Sequence, residues 1–196
     1  MKIIATNIAD LLLIEPRLFE DERGYFFESF HAKQFLEATG SAYCFVQDNH
    51  SHSHQGVLRG LHYQLSQAQG KLVRVVQGHI YDVAVDVRPQ SRTFGLWQGF
   101  ELSAKNHLEL WIPPGFAHGF LALSPTTEVL YKTTEYYAPE HERTICWNDP
   151  TLNITWPKGY EIKLSKKDQQ AKTFQEAEKE MKLMPSQSLR KDKMSC

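Results

Sequence analysis

Apolar and polar residues alternate with the two-residue period of a half-buried strand over residues 80–88, where Tyr81, Val83, Val85 and Val87 interleave with Asp82, Ala84, Asp86 and Arg88. Gly78 before this segment and Pro89 after it act as punctuation. Short runs of β-branched and aromatic residues predict further strands over 42–49, 56–64, 71–77, 97–102, 106–112 and 127–134. Such segments, parted by turns with little room for helices, predict an all-β antiparallel sandwich or barrel. One early helix is expected over 29–39, with Phe30, Phe35 and Leu36 apolar and Gly40 as its C-cap. From about residue 165 the texture changes. Residues 169–184, rich in Lys, Glu, Gln and Ala, read as an exposed helix, and 185–196 as a polar, basic, frayed end. The expected organisation is one domain over 1–170, then a C-terminal helix and flexible tail over 171–196, with no internal repeat.

With 196 residues, 41% hydrophobic and 12% aromatic, the chain has material for a real core, which excludes disorder. Lys+Arg 22 against Asp+Glu 23 leaves a formal charge of -1, so no global positive field attracts nucleic acid or an anionic membrane. An anionic ligand has to be held locally. The aliphatic run at 11–14 is flanked by Asp10 and Glu15 and is far short of the roughly 20 apolar residues of a membrane span. A secretory leader is not expected either, since acidic residues interrupt the region and no small-residue cleavage site follows. Cys44, Cys146 and Cys196 are odd in number and widely spaced. That argues against a disulfide framework or a thiolate zinc site, and a reducing cytoplasm is the natural compartment.

Histidine is concentrated, with His50, His52, His54 and His62 close together and His118 following a Pro114-Gly115 turn. Small barrels of the cupin type bind metal through a His-x-His pair, a following Glu and a later His after a Pro-x-Gly turn. Only the last element is present. The matching stretch reads His62-Tyr63-Gln64, and Ala68 and Gln69 stand where the carboxylate is needed. No metal is expected, because too few good ligands remain. His50, His52 and His54 read as solvated. A second cluster is more promising: Arg59 and His62, followed after a loop by Lys71. As two arms of a hairpin these would turn a titratable base and a fixed cation into one cavity. Arg59 and His62 differ by an odd number, so they share a face only if Gly60 marks a bulge.

Several blocks together resemble one family. They are Arg23-Gly24-Tyr25-Phe26-Phe27-Glu28-Ser29-Phe30, Val46-Gln47-Asp48-Asn49-His50-Ser51, Gly56-Val57-Leu58-Arg59-Gly60-Leu61-His62-Tyr63-Gln64, Lys71-Leu72-Val73-Arg74-Val75, Trp111-Ile112-Pro113-Pro114-Gly115-Phe116-Ala117-His118-Gly119-Phe120, Val129-Leu130-Tyr131-Lys132-Thr133-Thr134 and Leu164-Ser165-Lys166-Lys167-Asp168. Their order and content, over roughly residues 3 to 170, resemble the dTDP-4-dehydrorhamnose 3,5-epimerases. The resemblance implies a cupin jelly roll, a cytoplasmic homodimer without metal or cofactor, and a dTDP-sugar substrate of dTDP-L-rhamnose biosynthesis.

The resemblance further implies that His62 is the general base, with Asp168 orienting it, that Tyr131 is the acid on the opposite face, and that Lys71 stabilises an enolate at the C4 oxygen. Arg23, Glu28, Gln47, Asp48, Asn49, Arg59, His118, Glu142 and Lys167 fall at positions that bind the nucleotide sugar or shape its pocket, and Tyr137 and Phe26 at positions packing against thymine or sugar. The chemistry suits those groups. A 4-keto sugar has acidified C–H bonds at C3 and C5, and inversion needs a base, a holder for the enolate and a proton returned from the other face. Three alternatives stay open: an epimerase of a single centre, a metal-dependent cupin oxygenase and a silent sugar-binding cupin. Against the last two stand the broken ligand set and the presence of His62, Asp168 and Tyr131.

Overall fold

Alternation of inward and outward side chains builds two antiparallel sheets, which the computed structural model describes over residues 1–183 apart from Ala9. The first has six strands, in spatial order β1 (Lys2–Ala5), β2 (Leu12–Glu15), β10 (Glu109–Ile112), β7 (Lys71–Gln77), β12 (Thr126–Thr133) and β5 (Gln47–His54). The second has five: β13 (Glu142–Thr144), β6 (Leu58–Gln64), β11 (Phe116–Ala122), β8 (His79–Asp86) and β9 (Trp97–Ser103). A separate ribbon pairs β3 (Phe19–Asp21) with β4 (Gly24–Phe26). Sequence neighbours such as β6 and β7 sit in different sheets, so the chain crosses repeatedly between layers in the manner of a jelly-roll sandwich.

Three layers of apolar packing hold this arrangement. Between the sheets lie Val73, Val75, Leu110 and Val129 from one and Ile80, Ala84, Phe116 and Phe120 from the other. The outer face of the five-stranded sheet carries Leu58, Leu61, Tyr63, Val83, Val85 and Leu121, covered by later segments that include Trp156 and Phe174. The outer face of the six-stranded sheet places Ile14, Leu72 and Trp111 under helix α1 (Ala32–Thr39). There Phe35 meets Trp111 edge-on, ring centroids 4.9 Å apart, and burial of each such ring contributes about 1.5–3 kcal/mol. The helix stops at Gly40, whose φ of 66° is left-handed and whose N–H donates to the Leu36 carbonyl. It begins at Ala32 rather than 29, with His31 as N-cap.

Strand β5 lies at Gln47–His54 instead of 42–49, and β10 starts at Glu109 instead of 106. Strand β11 was not expected at all. Every residue in it is buried, so both faces are covered and the two-residue alternation disappears. The single helix expected over 169–184 is two, α2 (Lys166–Gln169) and α3 (Phe174–Leu183). Nor is it an exposed helix, because Phe174, Ala177 and Met181 pack into the outer core of the five-stranded sheet. The frayed end expected over 185–196 lies outside the described residues. Cys146 is free, whereas Cys44 is disulfide-bonded, contrary to the expectation drawn from cysteine spacing.

The bulge required at Gly60 is present. Against β11 the register pairs His118 with His62 but Phe120 with Arg59, two steps on one strand against three on the other. Gly60 takes a φ of 120°, and an added Cβ would stand 2.5 Å from the Gly119 Cα and 2.7 Å from the His118 carbonyl oxygen. Arg59 and His62 thereby share the inner face despite their odd spacing. Gly60→Ala is expected to lose about 1–3 kcal/mol through backbone strain, with the clash in addition. A thermal unfolding midpoint equal to the parent's would contradict this account of the bulge.

Candidate active site

Inner-face positions of both sheets become polar at one end of the sandwich. Alternation along β12 and β5 pairs Tyr131 with Asn49 and Thr133 with Gln47, while β7 turns Lys71 and Val73 inward beside them. Across from these, β6 and β11 bring His62 and His118 side by side in register. His62 and Lys71 thus converge as expected, but from opposing sheets rather than from a hairpin. Together with Gln64, Phe116, Tyr137 and Glu142 they line one cavity.

One contact at this cavity ties distant parts of the chain together. His62 Nε2 lies 2.6 Å from Asp168 Oδ1, and the other carboxylate oxygen accepts a 2.7 Å hydrogen bond from the Ser165 hydroxyl. Ser165 is the N-cap of α2 and its Oγ accepts from the Asp168 N–H at 3.1 Å, so a helix start fixes the carboxylate. Burial disfavours the ionised Asp168, but the hydrogen bonds from His62 and Ser165 outweigh it and hold the carboxyl below its usual range. Asp168 therefore meets His62 as an anion. Ser165 escaped the sequence reading, although its position three residues before an acidic residue is a capping signature.

Lys71 is buried, and among the described residues no carboxylate oxygen comes within 4.0 Å of its Nζ, so its donors are not committed to an ion pair. Burial pushes its pKa down to about 8, against the opposing pull of Asp82 and Glu142. Burial likewise holds the Tyr131 phenol above its ordinary pKa, with Arg59 pulling the other way, so it carries its proton at neutral pH. Arg59 is itself fixed to β5, donating from Nε to the Ser53 hydroxyl at 3.1 Å and from Nη2 to the His52 carbonyl at 3.0 Å.

Around the rim, the Tyr137 hydroxyl donates to Glu142 at 2.6 Å, and Lys167 forms an ion pair with the same carboxylate. The bond to Glu142, then burial, pushes the Tyr137 phenol up to about 12. The Gln47 amide accepts from the Tyr137 N–H at 3.0 Å and donates to Asn49 at 2.9 Å. Gln64 holds the same region, donating to the Gln67 and Tyr136 carbonyls and accepting from the Ala138 N–H. It stands where a metal-binding barrel needs its second His, and its amide is spent on loop backbone. Among the described residues no three His, Cys, Asp or Glu side chains are grouped to hold a metal ion.

Four expected residues are not brought here. Asp48 points to the outer face, ion-paired with Lys132 beside the exposed His50 and His52. Arg23 and Phe26 stand exposed on the β3–β4 ribbon, Arg23 paired with Asp21. Glu28 lines a different cavity, outside the six-stranded sheet, with Ile14, Phe30, Phe35 and Glu109.

A jelly-roll sandwich with acid–base groups gathered at the polar end of its inner face defines a cupin-type isomerase class. Within that class the chain belongs to the dTDP-4-dehydrorhamnose 3,5-epimerase family, whose model matches residues 5–176. The dTDP-4-dehydrorhamnose 3,5-epimerase of Pseudomonas aeruginosa is 57% identical over 178 residues, covering 91% of this chain and 98% of that protein. The crystal structure of the Legionella pneumophila dTDP-6-deoxy-D-glucose-3,5-epimerase in complex with dTDP-4-keto-L-rhamnose is similar at a TM-score of 0.86 and 50% identity, covering 94% of this chain and 95% of that one. A 3'-monoepimerase from Streptomyces bikiniensis, in complex with dTDP-quinovose, is similar at a TM-score of 0.81 and 31% identity, covering 91% and 98%. No helix among the described residues is long and apolar enough to cross a membrane.

Proposed function

We propose that this chain inverts C3 and C5 of dTDP-4-dehydro-6-deoxy-D-glucose to give dTDP-4-dehydro-L-rhamnose, the step its family performs in making dTDP-L-rhamnose. The observation that carries the mechanism is the 2.6 Å contact between His62 on the five-stranded sheet and Asp168 on α2, with Lys71 and Tyr131 on the six-stranded sheet opposite. His62 removes the proton alpha to the C4 carbonyl, and Asp168 steadies the imidazolium that forms. The electron pair moves onto the carbonyl oxygen, where the uncommitted Lys71 ammonium donates to it. Tyr131 returns a proton from the opposite sheet, and once His62 has released its proton to water and Tyr131 has regained one from water, the same cycle serves the second carbon. No cofactor takes part.

The dTDP portion binds at the rim. Arg59 and Lys167 meet the diphosphate, His118, Gln47 and Asn49 shape the pocket, Glu142 sets the Tyr137 hydroxyl, and the Tyr137 ring stacks on thymine. Arg23, Phe26 and Glu28 serve through a second copy of the chain. Their ribbon exposes Phe19, Tyr25 and Phe26 and lies outside the cavity of its own chain, which favours a homodimer whose ribbons reach across. The same reading puts the enzyme in the cytoplasm.

Proton NMR of the substrate with the protein in D₂O tests this reading through the C3 and C5 signals. Loss of both is the expected result. Loss of one would make the chain a single-centre epimerase, and loss of neither would discard the enolate mechanism. Under the same conditions Tyr131→Phe is expected to slow product formation by about 10²-fold while exchange at the first carbon survives, because deprotonation does not need the opposite-face acid. Equal loss of both would make Tyr131 positional.

A further inference from the structure

The segment between β12 and β13, residues 134–141, contains no helix or strand and exposes Tyr136 and Tyr137. Connections of this kind are ordinarily the loosest parts of a fold, yet this one carries the ring assigned above to thymine. Its backbone around that ring is held from both sheets. The Tyr137 N–H donates at 3.0 Å to Oε1 of Gln47, the first residue of β5, and the Ala138 N–H donates at 3.0 Å to Oε1 of Gln64, the last residue of β6. The Tyr136 carbonyl accepts from Gln64 Nε2 at 3.3 Å. Both peptide groups that flank Tyr137 therefore end on side-chain amides.

Gln64 is the more demanding of the two anchors. Its Nε2 also donates to the Gln67 carbonyl at 2.6 Å, so its oxygen and both amide hydrogens are engaged in a residue only 7% exposed. Two carbonyls on one side and an N–H on the other leave the amide a single workable orientation. A glutamate here would set a carboxylate against two carbonyl oxygens, and a methionine would leave those carbonyls and the N–H of the buried Ala138 unmet. Either change releases the segment to find other partners. A ring held in place before the ligand arrives has little freedom left to lose on binding, so its release is read in affinity and not in chemistry.

We propose that Gln64 is a positioning residue for nucleotide recognition: with Gln47 from the opposite sheet, it fixes the peptide groups on either side of Tyr137 and so holds that ring ready for the base. It touches no reacting atom and acts through Tyr137. The inference rests on the reading above in which the Tyr137 ring stacks on thymine, and the test separates the two.

The experiment is calorimetric titration of Gln64→Met with dTDP and, separately, with inorganic pyrophosphate, beside its steady-state kinetics. The variant is expected to bind dTDP roughly 10-fold more weakly, with KM rising in step, while pyrophosphate affinity and kcat stay within about twofold of the parent's. In a Tyr137→Ala background the same substitution is expected to change dTDP affinity by less than about twofold. Gln64→Glu, which keeps the length and loses the donors, is measured in parallel and is expected to weaken dTDP binding as much. Undiminished dTDP affinity in either variant, equal losses for dTDP and pyrophosphate, or losses that add in the double variant overturn the proposal. Failure of both variants to fold would also count against it, by making Gln64 purely structural. Tyr137→Ala alone is the control. If it binds dTDP as the parent does, the stacking reading itself fails, whereas a weakened Tyr137→Ala beside an unaffected Gln64→Met removes only this inference.

Discussion

His62→Ala is expected to cut exchange of both the C3 and C5 protons by about 10³-fold or more and to leave dTDP binding within about twofold of the parent. The magnitude follows from the role. A positioned general base contributes about 10²–10⁴-fold, and both inversions draw on the same imidazole. Binding survives because the groups assigned to the diphosphate and thymine, Arg59, Lys167 and Tyr137, hold their positions through contacts that do not involve His62: Ser53 and His52 for the first, Glu142 for the other two. The fold survives too, since the His62 side chain is 28% exposed and its removal leaves no sealed cavity in the apolar core. The check is deuterium incorporation followed by NMR, with dTDP affinity measured by calorimetry. Turnover near the parent's would remove His62 from the role of base, whatever else remained.

Some strands were legible from the sequence, and others, β1 to β4, β11 and β13, were not. Strand β7 falls where the pattern put it, and β6, β9 and β12 within two residues, because each alternates between different surroundings. Strand β5 slipped because its signal is polar on both sides. Gln47, Asn49 and Ser51 face the polar end of the sandwich, while Asp48, His50 and His52 face solvent, so hydrophobic periodicity has nothing to report. The pattern over 80–88 was correctly read as a strand, yet its polar positions face inward. Tyr81, Val83 and Val85 pack outward under the C-terminal segments, and Asp82 is sealed inside. A polar residue in an alternating strand ordinarily marks solvent, which is why the burial of Asp82 was not foreseen.

The site was legible in halves. Lys71 and His62 stood out as a base and a cation close in sequence, and the Gly60 bulge was the condition that let Arg59 join them. That they converge across two sheets follows from topology, which local pattern does not carry. Asp168 lies 106 residues beyond His62, and only the family resemblance linked them. Ser165 was within reach of local reasoning, since a capping serine three residues ahead of an aspartate has a known geometry. The β3–β4 ribbon illustrates the opposite limit. Arg23, Phe26 and Glu28 carry a recognisable motif, but one chain alone does not bring them to the cavity.

Lys71→Met separates catalysis from stability, with effects of opposite sign. Loss of a preorganised oxyanion donor is expected to lower kcat by about 10²–10³-fold. In the parent, kcat should fall as pH rises through about 8, because the ammonium loses its proton there. The methionine variant has no such group and should lack that decline. Stability runs the other way. The folded-state pKa of Lys71, about 8, lies below the ordinary lysine value of 10.5, so the unfolded chain binds the proton more tightly and folding is penalised at every pH below about 8. The penalty is on the order of 3 kcal/mol at neutral pH and fades as pH climbs from 8 toward 10.5. A methionine of similar length removes it while keeping the buried contacts, so the variant should melt higher than the parent at pH 7, with the gap closing in alkaline buffer. Thermal unfolding of both proteins at several pH values, beside the kcat profile, decides the matter. A variant both slower and less stable at pH 7 would mean that the ammonium is tied into the fold rather than held free for the enolate, and the uncommitted cation at the centre of the mechanism would have to be given up.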